Sequence, residues 1–160
     1  VSSGIPAQKR ALVSLLRDLF PDAGVSYGPP TKTVNDMAYC GGVQVDNSTP
    51  TAGGPRRSRE EVAAHQVILS KYVPGTSADN DSQPVEDDAQ QAATEGAYEM
   101  LDVLEDHFRV HLTAPLDGTA YTAIVSGHEL TEYKITNTSG AVTGRVGEIT
   151  ATVTTKYRPA

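Results

Sequence analysis

A chain of 160 residues has room for one ordinary domain and too little for two of comfortable size. Apolar residues make up 38%, with no Trp and only two Phe, so a core has to be built from Val, Leu, Ile, Ala and Tyr. Thirteen basic against twenty acidic residues leave a net charge of −7, which argues against general binding to nucleic acid or an anionic membrane, and the single cysteine, Cys40, excludes an internal disulfide.

The first element reads as an amphipathic helix over residues 5–20. Pro6 suits its first turn, Ser2 or Ser3 is a possible cap, and Pro21 stops it. Ile5, Leu12, Leu15, Leu16 and Leu19 share one stripe, while Lys9, Arg10, Arg17 and Asp18 lie off it. Val25 to Tyr27 reads as a short strand before Gly28-Pro29-Pro30. Residues 37–45 read as a second strand, in which Gly41-Gly42 signals a bulge or a close backbone approach. Composition predicts a loop over 46–59, a strand over about 62–73 and a second polar loop over 74–88.

A helix is expected from about 87 to 111. Ala93, Ala97, Met100, Leu101, Leu104 and Phe108 line one face, Glu99, Asp102, Glu105 and Asp106 mostly the other, and acidic residues stand at its start. Tyr121 to Leu130 reads as a strand in which Ile124, Ser126, His128 and Leu130 alternate against Ala123, Val125 and Gly127. A turn follows at 136–140. Residues 145–157 alternate most cleanly, with Ile149, Ala151, Val153 and Tyr157 opposed to Glu148, Thr150, Thr152, Thr154 and Lys156. The order predicts a single α+β domain over 1–160: a mainly antiparallel sheet with two helices packed on one face.

The charge is unevenly placed. Residues 1–75 carry 8 basic and 6 acidic groups, residues 76–112 carry 1 and 10, and the remainder carries 4 of each. No segment approaches the ~18–20 apolar residues of a membrane span, and no signal peptide is expected, so the chain is expected to stay in the cytoplasm where it is made. Val1 reads as a GTG start codon translated literally.

Chemistry is sparse. His107 and His111 stand at i,i+4, a spacing that suits two metal ligands. The H-E-x-x-H pattern is missing, and the competing reading is two surface histidines at a helix C-terminus, where positive charge is welcome. His65 and His128 read as strand residues, and Cys40 as a buried structural thiol. Asp79, Asp81, Glu86, Asp87 and Asp88 do not follow the calcium-loop spacing. No nucleophile elbow, Walker loop or dinucleotide fingerprint is present, so neither an enzyme nor a cofactor is expected. The sharpest local feature is Pro55-Arg56-Arg57-Ser58-Arg59. It reads either as a solvated loop or as an arm whose Arg56, Arg57 and Arg59 dock onto an acidic patch, such as a neighbouring copy's Asp79, Asp81, Asp87 and Asp88 or its helix face.

Several stretches together resemble tail terminator proteins of long-tailed bacteriophages of actinobacterial hosts. They are the opening V-S-S-G-I-P-A-x-K-R-A-L-V-x-L-L-R, Tyr27-Gly28-Pro29-Pro30, Val43-Gln44-Val45-Asp46 with the following S-T-P-T-A-G-G-P-R-R-S-R-E-E, and the helix A-Y-E-M-L-D-V-L-E-D-H. The resemblance implies a structural virion protein. Its α+β subunits would form a six-membered ring on the finished tail tube, end tube polymerisation and present a face to the head connector or stopper protein. DNA would pass the lumen without specific binding, and no cofactor or membrane is implied. The alternatives are another neck component (a head-to-tail stopper or a minor tail protein) and, more remotely, a small metal-dependent enzyme using His107, His111 and the acidic loop.

Overall fold

The computed structural model describes residues 3–30, 35–48, 60–74 and 83–158. Among these the chain runs α1 (Ile5–Leu19), β1 (Gly24–Ser26), β2 (Met37–Ser48), β3 (Glu60–Pro74), α2 (Gln83–Val110), a 3-10 turn (Pro115–Gly118), β4 (Thr122–Thr136) and β5 (Val142–Tyr157). The strands form one sheet in the order β1-β2-β3-β5-β4. The β1–β2 pair is parallel and the other three are antiparallel, so the fold is α+β with a mainly antiparallel sheet.

Local chemistry fixes the ends of α1. Gly4 is its N-cap and Pro6 lies in the first turn. The Ser3 hydroxyl accepts the Ile5 N–H at 3.2 Å and donates to Glu61 at 2.9 Å, while the Gly4 N–H donates to the same carboxylate oxygen at 3.2 Å. Donors left over at a helix start are thereby satisfied by a strand residue. At the other end the Phe20 N–H closes onto Leu16 O at 2.9 Å, just before Pro21.

Both helices cover the same side of the sheet. Leu12, Val13 and Leu16 of α1 and Ala97, Leu101, Leu104 and Phe108 of α2 join Val67 and Leu69 of β3 and Ile149, Ala151 and Val153 of β5 in one core cluster. Residues two apart on a strand share a face, so the strand positions under α1 and those under α2 lie on one side. At Gly147 the approach of α2 is closest: an added Cβ would meet the Ala93 carbonyl oxygen at 2.7 Å and the Thr94 Cα at 2.8 Å. These are helix backbone atoms, which cannot rotate away. Gly147→Ala is therefore expected to destabilise the fold by ~1–3 kcal/mol through overpacking, a shift that urea unfolding reads directly.

The register of the sheet slips in three places, one of them between Ile135 and Thr136 at the end of β4. In β2 the register slips between Cys40 and Val43, at the Gly41-Gly42 step. In β4 it slips between Val125 and Gly127, which leaves Ser126 as the extra residue. This bulge corrects the expected alternation of β4. Ala123 and Val125 pair with Thr155 and Val153 on the helix side, and after the bulge His128 and Leu130 take over that side, opposite Ala151 and Ile149. Ile124, opposite Thr154, lies on the uncovered side and is 55% exposed.

The expected loops also shrink. The ladder continues through Asp46↔Val62, Asn47↔Glu61 and Ser48↔Glu60, so residues 46–48 are strand and not loop. Helix α2 starts at Gln83, taking residues 83–88 out of the second loop. Strand β4 extends to Thr136, where the Asn137 side chain organises the turn by accepting the Ser139 and Ala141 N–H groups, both at 3.0 Å. Among the described residues no helix is long and apolar enough to cross a membrane.

Candidate functional site

A buried polar network joins α1 to the sheet. Gln8 sits on the buried stripe of α1, at i+3 from Ile5 and i−4 from Leu12, and is fully buried. Its Oε1 accepts from the Thr155 hydroxyl at 2.6 Å and from His65 Nε2–H at 2.8 Å, and its Nε2–H donates to the Thr119 carbonyl at 3.3 Å. Burial, helped by the Lys9 charge, pushes the His65 pKa down to about 4, so the ring is neutral at ordinary pH. His65 Nδ1 is buried and has no hydrogen-bond partner among the described residues. Neither Gln8 nor Thr155 carries a proton to give at neutral pH, so this network locks the position of α1 and supplies no acid–base pair. Its signal in the sequence was one polar residue in the middle of an apolar stripe.

The opposite side of the sheet has no helix over it among the described residues. Its middle is a lane of hydroxyls and amides. Gln44 and Gln66 stand here with Thr150, Thr152 and Thr154, and the Ser126 hydroxyl meets the Thr154 hydroxyl at 2.7 Å. Toward one end the face becomes aromatic. Tyr133 donates to Glu148 at 3.2 Å, and its phenol is pushed up to about 12 by burial and by that carboxylate. Tyr39 is raised for the same two reasons. Both phenols stay protonated across the biological range. The face therefore offers hydrogen bonds and flat area, and among the described residues no nucleophile and base converge on it.

The sheet is also open at its sides. Among the described residues, strand β4 is an edge over its whole length, and β2 is joined on its outer side by β1 only over Met37–Tyr39. An open strand edge is a ready template for pairing with another chain, and the charged Glu129, Glu132 and Lys134 along β4 restrict which chain can add there.

The residues singled out from the sequence fall as follows. Arg56, Arg57, Arg59, Asp79 and Asp81 lie outside the described residues. Asp87 falls within α2, and Asp88 is exposed on it. Cys40 is buried at 2% exposure, and burial pushes its thiol up to about 11, the reverse of what a nucleophile needs. His107 and His111 stack face to face with ring centroids 4.2 Å apart at the end of α2, and His111 Nδ1–H donates to the His107 carbonyl at 2.9 Å. That arrangement caps the helix. Among the described residues no group of three or more His, Cys, Asp or Glu is placed to hold a metal ion. His128 meets the Tyr98 hydroxyl at 3.2 Å in an edge-on contact.

Comparison with known proteins finds no protein-family model that matches this chain and no curated protein that matches it. The functional reading therefore rests on the residues themselves and on what the fold leaves uncovered.

Proposed function

We propose that this chain is a structural virion protein, a phage tail terminator that acts by surface complementarity and not by catalysis. In this reading six copies close into a ring on the end of the tail tube. The ring stops tube polymerisation and presents its other face to the head connector or stopper protein. DNA crosses its lumen without specific binding, the net charge of −7 disfavouring adhesion. The chain assembles in the host cytoplasm and ends in the tail of the particle.

The observation that carries this reading is a polar sheet face that no described helix covers, with strand edges open on either side among the described residues, in a chain whose sequence resembles that family. A ring needs two different contact surfaces on each subunit, so that the contact is heterologous and closes by rotation. Edges on opposite sides of one sheet meet that requirement. The experiment is assembly of particles without this protein: tails of uncontrolled length that fail to join heads are expected. Tails of normal length joined to heads would overturn the reading. Electron microscopy of the protein bound to tail tubes separates it from a head-to-tail stopper, which would sit away from the tube.

A further inference from the structure

A cavity of about 270 Å³ opens between the end of α1 and the middle of α2. Its walls combine apolar Leu19, Phe20, Met100 and Val103 with three carboxylates, Asp22, Asp36 and Glu99, against one ammonium, Lys71. Lys71 is already spent: its Nζ lies 2.8 Å from Asp36, whose other oxygen accepts the Tyr72 N–H. Gly96 makes room for the stem of Lys71, since a Cβ there would meet it at 2.6 Å. Asp22 and Glu99 are exposed and have no ion-pair partner among the described residues. At about 270 Å³ the cavity lies just below the range of small-molecule sites, ~300–1,000 Å³. Apolar walls beneath unpaired carboxylates suit one long cationic side chain, its stem against the walls and its head at the rim.

We propose that this cavity receives an arginine of the Pro55–Arg59 segment of a second copy of the chain. This rests on the self-assembly reading above and names the contact it would use. The segment between Ser48 and Glu60 is eleven residues long and carries Arg56, Arg57 and Arg59, with no acidic residue. Ser48 and Glu60, which flank it, pair at one rung of the β2–β3 ladder, so eleven residues can span at most roughly 20 Å out from that rung and back. The cavity lies at the other end of β3, beside Lys71, about 36 Å along the strand from Glu60. The shortfall of roughly 15 Å exceeds the length of an arginine side chain, so the arm cannot fill its own chain's cavity. Donor and acceptor at opposite ends of the subunit give a head-to-tail contact, the kind from which rings are made.

Disulfide cross-linking tests it. A Ser58→Cys copy is mixed with a Val103→Cys copy, in solution and again on tail tubes, and oxidised with copper phenanthroline in air. The two thiols lose two protons and two electrons to oxygen. Cys40, buried and poorly ionised, stays out of the reaction. A heterodimer is expected, at yields at least tenfold lower when the acceptor also carries Asp22→Asn and Glu99→Gln, or the donor Arg56→Ala, Arg57→Ala and Arg59→Ala. No cross-link in either setting, an undiminished yield in those variants, or an equal yield with Ile124→Cys as the acceptor would overturn the proposal. Rings still seen on tail tubes in those cases would leave the terminator reading intact. Normal tails without the protein, together with a specific cross-link, would overturn the terminator reading alone.

Discussion

Leu104→Ala is expected to cost about 2–5 kcal/mol of stability, measured as the loss of unfolding free energy in urea. Leu104 is fully buried where α2 meets the sheet, and it belongs to the cluster that holds both helices to β3 and β5. Truncation removes three carbons from a packed site. Its neighbours are held by a 28-residue helix and by long paired strands, so the space can close only in part. Against a typical total of ~5–15 kcal/mol such a loss leaves a marginal protein. Val103 is the internal control: it is the next residue on the same helix, is 42% exposed, and its replacement by Ala is expected to change stability by less than ~1 kcal/mol. A Leu104→Ala effect below about 1 kcal/mol would mean that this face of α2 is not a packed core.

The part of the fold that was legible in the sequence is the part governed by regular periods. The stripe of α1, the face of α2 from Ala93 to Phe108 and the clean alternation of β5 are each set by residues that must be buried together, and each lies where its period puts it. What escaped was governed by other terms. Residues 83–88 (Q-P-V-E-D-D) carry a proline and three acidic groups in place of an apolar stripe, and so they read as loop. Asp46 to Ser48 are poor strand formers by composition, yet the ladder with Glu60 to Val62 carries them along. In β4 the bulge at Ser126 reverses which side each later residue faces. One extra residue in a strand of period two is invisible unless the partner strand is known.

The functional surfaces were less legible than the fold, for a related reason. Gln8, His65 and Thr155 are buried polar residues brought together by tertiary packing, and only Gln8 left a mark on a local pattern. The cavity beside Lys71 draws on α1, the segment before β2, β3 and α2, elements that no linear motif connects. The charge division, by contrast, was plain from counting. The three arginines between Ser48 and Glu60 were in plain view, but of the cavity's carboxylates only Glu99 belongs to the acidic 76–112 segment, while Asp22 and Asp36 lie outside it.

The second large effect expected is a loss of stability on mild acidification, carried by His65. In the folded chain the ring is 1% exposed, its Nε2–H is held by Gln8, and its Nδ1 faces no acceptor among the described residues, so a second proton would be buried without a partner. The folded pKa is therefore pushed down to about 4, against 6.5 for an ordinary histidine. Between those values the unfolded chain binds the proton and the folded chain does not. Stability then rises with pH across the window and is lost as pH falls from about 6.5 toward 4. The size follows from the shift, on the order of 3 kcal/mol by pH 4. Carboxylates that titrate below pH 5 also act in acid, and His107, whose pKa is lowered by burial and by His111, adds in the same direction. A His65→Gln variant keeps all of these groups, so the difference in unfolding free energy between wild type and variant isolates the one ring. That difference is expected to move against the wild type by about 3 kcal/mol between pH 7 and pH 4. Parallel stability curves for the two proteins would show that His65 takes up its proton without leaving the fold, and that the Gln8 network is open to water.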